Sequence, residues 1–290
     1  MNYQWYPGHM TKAMRMMKED IKLIDLVIEL LDARAPISSR NPDINELAKG
    51  KSRLIILNKY DLSDEKKTEA FERYFKDAGL TVVKCDSRNS GNVKQIGEAI
   101  KTACREKTER DRKKGIMNRP VRAMVAGIPN VGKSTLINTL AGRASAKTGN
   151  KPGVTRGKQW IRLNKQVELL DTPGVLWPKF EDRETGLKLA LLGTINDDIV
   201  DERELALELI ALSAKEGFLE LEQRYGIEGY DENLKAELTE GKEGADILTR
   251  IAKARGALLK GGEFDIDKAS RILLDDFRSG KLGRVTLDNI

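Results

Sequence analysis

The chain has 290 residues, 33% of them charged and 5% aromatic, with both signs interspersed and a net charge of +6. That length allows one sizeable core and a smaller second unit. No apolar run reaches the ~18 residues of a membrane span, and the opening MNYQWYPGHM lacks the basic-then-apolar pattern of a signal peptide. Cys85 and Cys104 lie far apart without metal-ligand spacing, so two reduced thiols in a cytoplasmic protein are expected. The charge is unevenly placed. Residues 1–179 hold 35 Lys and Arg against 20 Asp and Glu, and residues 180–290 hold 16 against 25. A basic front half suits a polyanionic partner, although a solvated basic surface would give the same count.

In chain order, a Met- and Lys-rich stretch over residues 8–22 predicts a helix. Strand-like runs follow at IDLVIELLDA, RLIILNKYD and LTVVKCD, separated by polar helical segments such as DEKKTEAFERYFKDAG. This alternation predicts a parallel sheet with crossover helices. Residues 92–114 read as one helix that becomes strongly charged, with Gly115 as a joint. VRAMVAG predicts a buried strand, KSTLINTLAG a helix, and KQWIRLN and QVELLD two further strands. After Trp177-Pro178 apolar residues recur at helical spacing, as in RELALELIALSAKEGF and IDKASRILLDDF. The expected division is an α/β domain over 1–178 and an α-helical domain over 179–290. The basic last third, 247–290, is the part of the helical domain suited to nucleic acid.

Three motifs carry chemistry. Gly127-Ile128-Pro129-Asn130-Val131-Gly132-Lys133-Ser134 is a P-loop between a strand and a helix, followed by Thr135. Its glycines let backbone amides curl around phosphates at a helix N-terminus. Lys133 is expected on the β- and γ-phosphates and Ser134 on Mg²⁺. Asn58-Lys59-Tyr60-Asp61 closes an apolar strand. The Asp61 carboxylate can accept from N1–H and the exocyclic amine of guanine, a donor pair adenine lacks. Asn58 is expected to read the other edge and tie down the loop, and Lys59 to lay its stem along the ring. Asp171-Thr172-Pro173-Gly174 ends the strand QVELL. Asp171 is expected to hold Mg²⁺ through water, and the Gly174 amide to face the γ-phosphate. Thr155 lies between the last two motifs and is the natural second hydroxyl for Mg²⁺. Asp86-Ser87-Arg88 is expected to close over the base with backbone amides. The order is unusual: the guanine-reading motif precedes the phosphate loop, so the chain of an ordinary GTPase has been cut and rejoined.

With those motifs the chain resembles the YlqF family of circularly permuted GTPases, the ribosome biogenesis GTPase A group. WYPGHMTKAMR, LLDARAP and FRSGKLGRVTLD share in the likeness, which spans essentially the whole chain. The resemblance implies a Rossmann-like P-loop GTPase sheet in permuted order and a helical domain similar to RNA-binding antiterminator modules. It also implies GTP hydrolysis in late assembly of the large ribosomal subunit, with rRNA as partner and a monomer off the ribosome.

Two departures from ordinary GTPases bear on mechanism. Val175 and Leu176 stand where many carry a water-orienting glutamine. His9, the sole histidine, could position water, or it could be a structural or rRNA-binding residue. Asn130 in the P-loop implies, through the resemblance, a K⁺ ion in place of an arginine finger. The methionines 10, 14, 16 and 17 and the tryptophans 5, 160 and 177 read as packing residues. Glu29, Asp32 and Glu46 show no pairing that demands more than solvation or a cap. The rival readings are a nucleotide-stabilised RNA-binding scaffold, a GTPase serving tRNA modification or ion transport, and an ATP-using enzyme.

Overall fold

The alternating apolar and amphipathic segments form, in the computed structural model, a six-stranded sheet with covering helices. The structure describes residues 8–116, 119–142, 159–178, 180, 182–196, 200–217, 220–227, 238 and 244–290, the side chain of His9 excepted. Trp5 and Thr155 therefore lie outside the described residues, as does the part assigned to His9's ring.

The described residues divide into two units. One runs up to Thr185 and includes Thr286–Ile290; the other is Gly186–Val285. The sequence boundary at 178/179 thus moves by seven residues, and the last five residues return to the sheet unit. Composition cannot show that return, because it depends on tertiary hydrogen bonds described below.

In the sheet unit, helix α1 (Gly8–Asp20) leads into β1 (Leu26–Asp32). Then come α2 (Pro42–Leu47), β2 (Ser52–Asn58), α3 (Glu65–Asp77) and β3 (Thr81–Cys85). Next are α4 (Asn92–Ala103), α5 (Arg105–Lys113), β4 (Val121–Ala126), α6 (Lys133–Ala141), β5 (Gln159–Arg162) and β6 (Val167–Asp171). The strand order is β3-β2-β1-β4-β6-β5, parallel except for β5 against β6. Every residue of β1 is buried, as a central parallel strand covered on both faces requires. Phe71 and Phe75, one helical turn apart on α3, pack with Leu31, Ile55, Leu57 and Val82. Met10, Met14 and Met17 are buried on α1, so those methionines pack as expected. Both cysteines are buried and unpaired, and burial pushes the Cys85 thiol up to about 12 and the Cys104 thiol to about 11, so neither is a reactive thiolate.

The expected helix over 92–114 is broken at Cys104, whose backbone leaves the helical region while its side chain stays buried. The charged half, α5, buries no residue and is supported by the i,i+4 pairs Arg105–Glu109 and Lys107–Asp111. It is a solvated helix. Asp32 and Glu29 depart further from expectation. Glu29 is buried between Arg53 (2.7 Å) and Arg40 (3.4 Å), and Asp32 is buried against Arg34 and Lys59. Apart from Arg34, two residues beyond Asp32, these partners come from other strands and loops, so no local spacing announces them. Trp160 is 39% exposed on β5 with the Arg122 guanidinium 5.5 Å from its ring centre, whereas Trp177 is buried edge-on to Phe180.

The helical unit takes in most of α7 (Arg183–Leu191), then α8 (Glu202–Glu216), α9 (Leu221–Tyr225), α10 (Gly244–Ala254) and α11 (Ile266–Arg278). Asp201 and Asp265 cap α8 and α11 by accepting from amides of their first turns. Arg278 donates to the carbonyls of Ala190 (3.0 Å) and Leu191 (3.1 Å), satisfying the C-terminal end of α7.

Candidate nucleotide-binding site

Parallel pairing brings the motifs together. Asp32 pairs in register with Asn58, Asn58 with Cys85, and Val125 with Asp171. The loops that follow β1, β2, β3, β4 and β6 therefore leave the same edge of the sheet, the carboxyl edge where open α/β sheets bind ligands. The N-K-x-D loop, the D-S-R loop, the P-loop and the D-T-P-G loop meet there although they are distant in sequence.

Asn58 is the tie between three of these loops. Its side chain is fully buried. Its Nδ2 donates to the Val131 carbonyl of the P-loop at 2.6 Å and to Ser87 Oγ at 3.2 Å. Its Oδ1 accepts from the Ser87 amide at 2.8 Å. Both donor hydrogens are thereby engaged by the P-loop and the D-S-R loop. The amides of the D-S-R loop are engaged by protein as well. The Ser87 amide is used by Asn58, and the Arg88 amide donates to Asp86 Oδ1 at 3.0 Å. The Arg88 amide closes the loop on itself, because Asp86 forms a turn with its own backbone. Thr139 on α6 donates to the Ser87 carbonyl at 2.6 Å and locks this loop to the P-loop helix.

Lys59 has a left-handed backbone, φ 58°, and its Nζ lies 3.0 Å from Asp32 Oδ2. Burial alone would raise the Asp32 carboxyl, but Arg34 and Lys59 outweigh it and hold the group well below its ordinary range. Arg34 grips it bidentately, at 2.9 Å to each oxygen. The stem of Lys59 is thus held by a fixed anion. Asp61 has Oδ2 at 2.6 Å from the Arg88 guanidinium, while its Oδ1 is buried without a hydrogen-bond partner. A buried carboxylate oxygen lacking a donor is costly, and guanine's N1–H and exocyclic amine are the donors that would satisfy it.

The P-loop is built on close approach. Gly127 has φ 156°, and a Cβ there would sit 2.5 Å from the Leu30 carbonyl oxygen. Gly132 has φ 103°, and a Cβ there would overlap Asn58 Nδ2. Asn130 also takes a left-handed backbone, φ 57°. Lys133 is buried and donates to the carbonyls of Ile128 (2.7 Å) and Gly127 (3.1 Å). Burial lowers its ammonium pKa, and the negative charge of Asp171 works against that shift. Burial raises the Asp171 carboxyl, opposed by the Lys133 charge. Asp171 Oδ1 is the second buried carboxylate oxygen without a partner. That orphan fits Mg²⁺, an oxygen-seeking ion, with the hydroxyl-bearing Ser134 in the adjoining P-loop. Among the described residues no group of three or more His, Cys, Asp and Glu is placed to hold a metal ion.

The D-T-P-G loop lies directly on the P-loop. A Cβ on Gly174 would come within 2.7 Å of Pro129 N and Cα and 2.9 Å of Lys133 Nζ. The Val175 amide donates to the Gly127 carbonyl at 3.2 Å, and the Val175 carbonyl accepts from Asn41 Nδ2 at 3.0 Å. Val175 and Leu176 are both fully buried, so neither reaches toward a reacting water. Sequence reasoning missed Asp32, Arg34, Asn41 and Thr139. LLDARAP was the only signal for the first two, and its pairing was not legible in it.

The profile described as 50S ribosome-binding GTPase matches residues 122–242, and that of the RsgA GTPase matches residues 46–181. Ribosome biogenesis GTPase A of Bacillus cereus is 44% identical over 98% of this chain and 93% of its own. Mitochondrial ribosome-associated GTPase 1 of Mus musculus is 35% identical over 98% of this chain and 90% of its own. The crystal structure of GNP-bound YlqF from T. maritima superposes with a TM-score of 0.64 at 26% identity, covering 96% of this chain and 98% of that one. With its permuted motifs gathered on one sheet edge, this chain belongs to the ribosome biogenesis GTPase A (YlqF) family of GTP-hydrolysing ribosome biogenesis factors.

Proposed function

We propose that this GTPase is a switch that binds the precursor of the large ribosomal subunit in its GTP state, assists late assembly and leaves after hydrolysis. The observation that carries the nucleotide half is the pair of buried, unpartnered carboxylate oxygens, on Asp61 and Asp171, at one carboxyl edge. One suits a guanine donor pair and the other a hydrated Mg²⁺, and parallel strand register brings the two loops to the same edge.

In this reading Asp61 selects guanine, and Lys59, steadied by Asp32, lies along the base. Lys133 and the P-loop amides bind the phosphates. Ser134, Thr155 and Asp171 would hold Mg²⁺, which neutralises phosphate charge when bound. Gly174, seated against Pro129 and Lys133, registers whether the terminal phosphate is present. Val175 and Leu176 are buried, so water orientation falls to another group. His9 or a group on the ribosomal partner takes that role, and a K⁺ ion beside Asn130 supplies the charge of an arginine finger. Basal turnover is accordingly slow. The excess of basic residues over 1–179 supports attraction to rRNA.

GTP turnover measured with and without purified large ribosomal subunits in potassium buffer tests this. Stimulation of about tenfold or more, ~1.4 kcal/mol off the barrier, supports the switch. No stimulation with GTP still bound points instead to a nucleotide-stabilised RNA-binding scaffold or a different RNA partner. Replacing K⁺ by Na⁺ removes the potassium assignment if turnover is unchanged.

A further inference from the structure

The last residues of the chain grip both flanks of the N-K-x-D loop. Thr286, Leu287 and Asp288 are buried. On one flank, Thr286 Oγ1 accepts from the Asp64 amide at 3.1 Å, and the Thr286 carbonyl accepts from Lys67 Nζ at 3.1 Å. Asp64 caps α3, three residues beyond Asp61. On the other flank, the Leu287 amide donates to the Arg34 carbonyl at 2.6 Å, and Thr286 Oγ1 donates to the Ala33 carbonyl at 3.3 Å. Asp288 closes the 37–38 turn, accepting from the amides of Ile37 and Ser38 at 2.8 Å each and from Ser38 Oγ at 2.6 Å.

Two of these contacts lead on to the N-K-x-D loop. The Ala33 amide donates to the Asn58 carbonyl at 2.8 Å. Arg34 holds Asp32, and Asp32 holds Lys59. We infer that Thr286–Asp288 is a positioning strap for the base-reading loop, setting guanine affinity and selectivity from the far end of the chain. Seven hydrogen bonds join this segment to residues 33–38 and 64–67, the stretches that flank the base-reading loop and its Asp32–Lys59 support. The chain reaches the strap only after the whole helical unit, Gly186–Val285. The chain thus joins the helical unit directly to the strap at Val285–Thr286. The strap's hydrogen bonds named above go to residues 33–38 and 64–67, so base affinity is expected to respond to it more than hydrolysis does.

The inference rests on Asn58–Asp61 being the guanine-reading loop. The experiment uses the full chain with Thr286→Val, which keeps shape and removes the hydroxyl, and with Asp288→Ala and Asp288→Asn. Affinities for GDP and for IDP, which lacks the exocyclic amine, are measured beside kcat at saturating GTP and thermal melting without nucleotide. Thr286→Val and Asp288→Ala are expected to weaken GDP about fivefold to tenfold. IDP weakens less, kcat stays within about twofold, and Asp288→Asn recovers part of the loss because its amide oxygen still accepts. Unchanged GDP affinity, or GDP and IDP weakened by the same factor, overturns the strap and leaves an anchor for the chain end. Asp61→Asn separates the two claims. If it leaves the preference for GDP over IDP intact, the base-reading assignment itself fails; if it abolishes that preference while the strap variants do nothing, only the strap fails.

Discussion

Asp32 shows how a single residue can be indispensable without touching a ligand. Its carboxylate is buried and shared by Arg34 and Lys59. Removing one member of such a group leaves buried charge uncompensated, so Asp32→Asn should cost about 3 kcal/mol at pH 7. Denaturant unfolding of the two proteins checks this. Because the folded-state carboxyl lies below its ordinary 3.8, its contribution is complete above that value and is lost as pH falls through the folded value. The difference between wild type and variant should therefore be flat from about pH 5 to 8 and narrow only below about pH 4. Gly174 is limited by backbone, since Pro129 N and Cα would lie 2.7 Å from an added Cβ. Neither can swing away, unlike the end of a side chain. Gly174→Ala should lower GTP turnover by about tenfold or more, while GDP binding through Asp61 and Lys133 suffers less; steady-state kinetics beside GDP titration decide it.

At the level of elements, the site is held by ties between loops more than by any one motif. Thr139 connects α6 to the D-S-R loop through a 2.6 Å hydrogen bond to the Ser87 carbonyl, and Asn58 connects that loop to the P-loop. Thr139→Val keeps the volume and strands a carbonyl. It should cost about 1 kcal/mol in stability and speed GDP release several-fold, read by melting and by stopped-flow release of a fluorescent GDP. The contrast is Arg88, an exposed side chain bridging Asp61 and Asp86. Exposed pairs contribute about 0–1 kcal/mol, so Arg88→Ala should change melting far less than Thr139→Val does.

For the whole molecule, charge and topology act separately. The basic excess over 1–179 is a property of the surface and does not specify the fold. If it meets rRNA, raising KCl from about 50 to 200 mM should weaken binding to large subunits by at least about tenfold, whereas GDP affinity of the free protein should hardly move. Sedimentation of the complex at the two salt concentrations distinguishes this from binding through protein contacts, whose salt slope would be shallow. Topology decides what is linked to what. The D-T-P-G loop precedes the helical unit in the chain and the return at Thr286 follows it, so both ends of that unit continue into the sheet unit.

The sequence alone determined the element types, the P-loop, the N-K-x-D and D-T-P-G motifs and their permuted order. Those features are local: strand periodicity, glycines at a strand–helix turn, and a carboxylate at a strand end each act within a few residues. Only the tertiary structure decided that Asn58 spends its amide on the P-loop and Ser87, that Asp32 and Arg34 stand behind Lys59, and that the chain end closes on Ala33, Arg34 and Asp64. Except for the Arg34–Asp32 pair, those are hydrogen bonds and ion pairs between residues tens to hundreds of positions apart. Their geometry exists only once parallel strand register has set the loops side by side, and no periodicity in the chain encodes it.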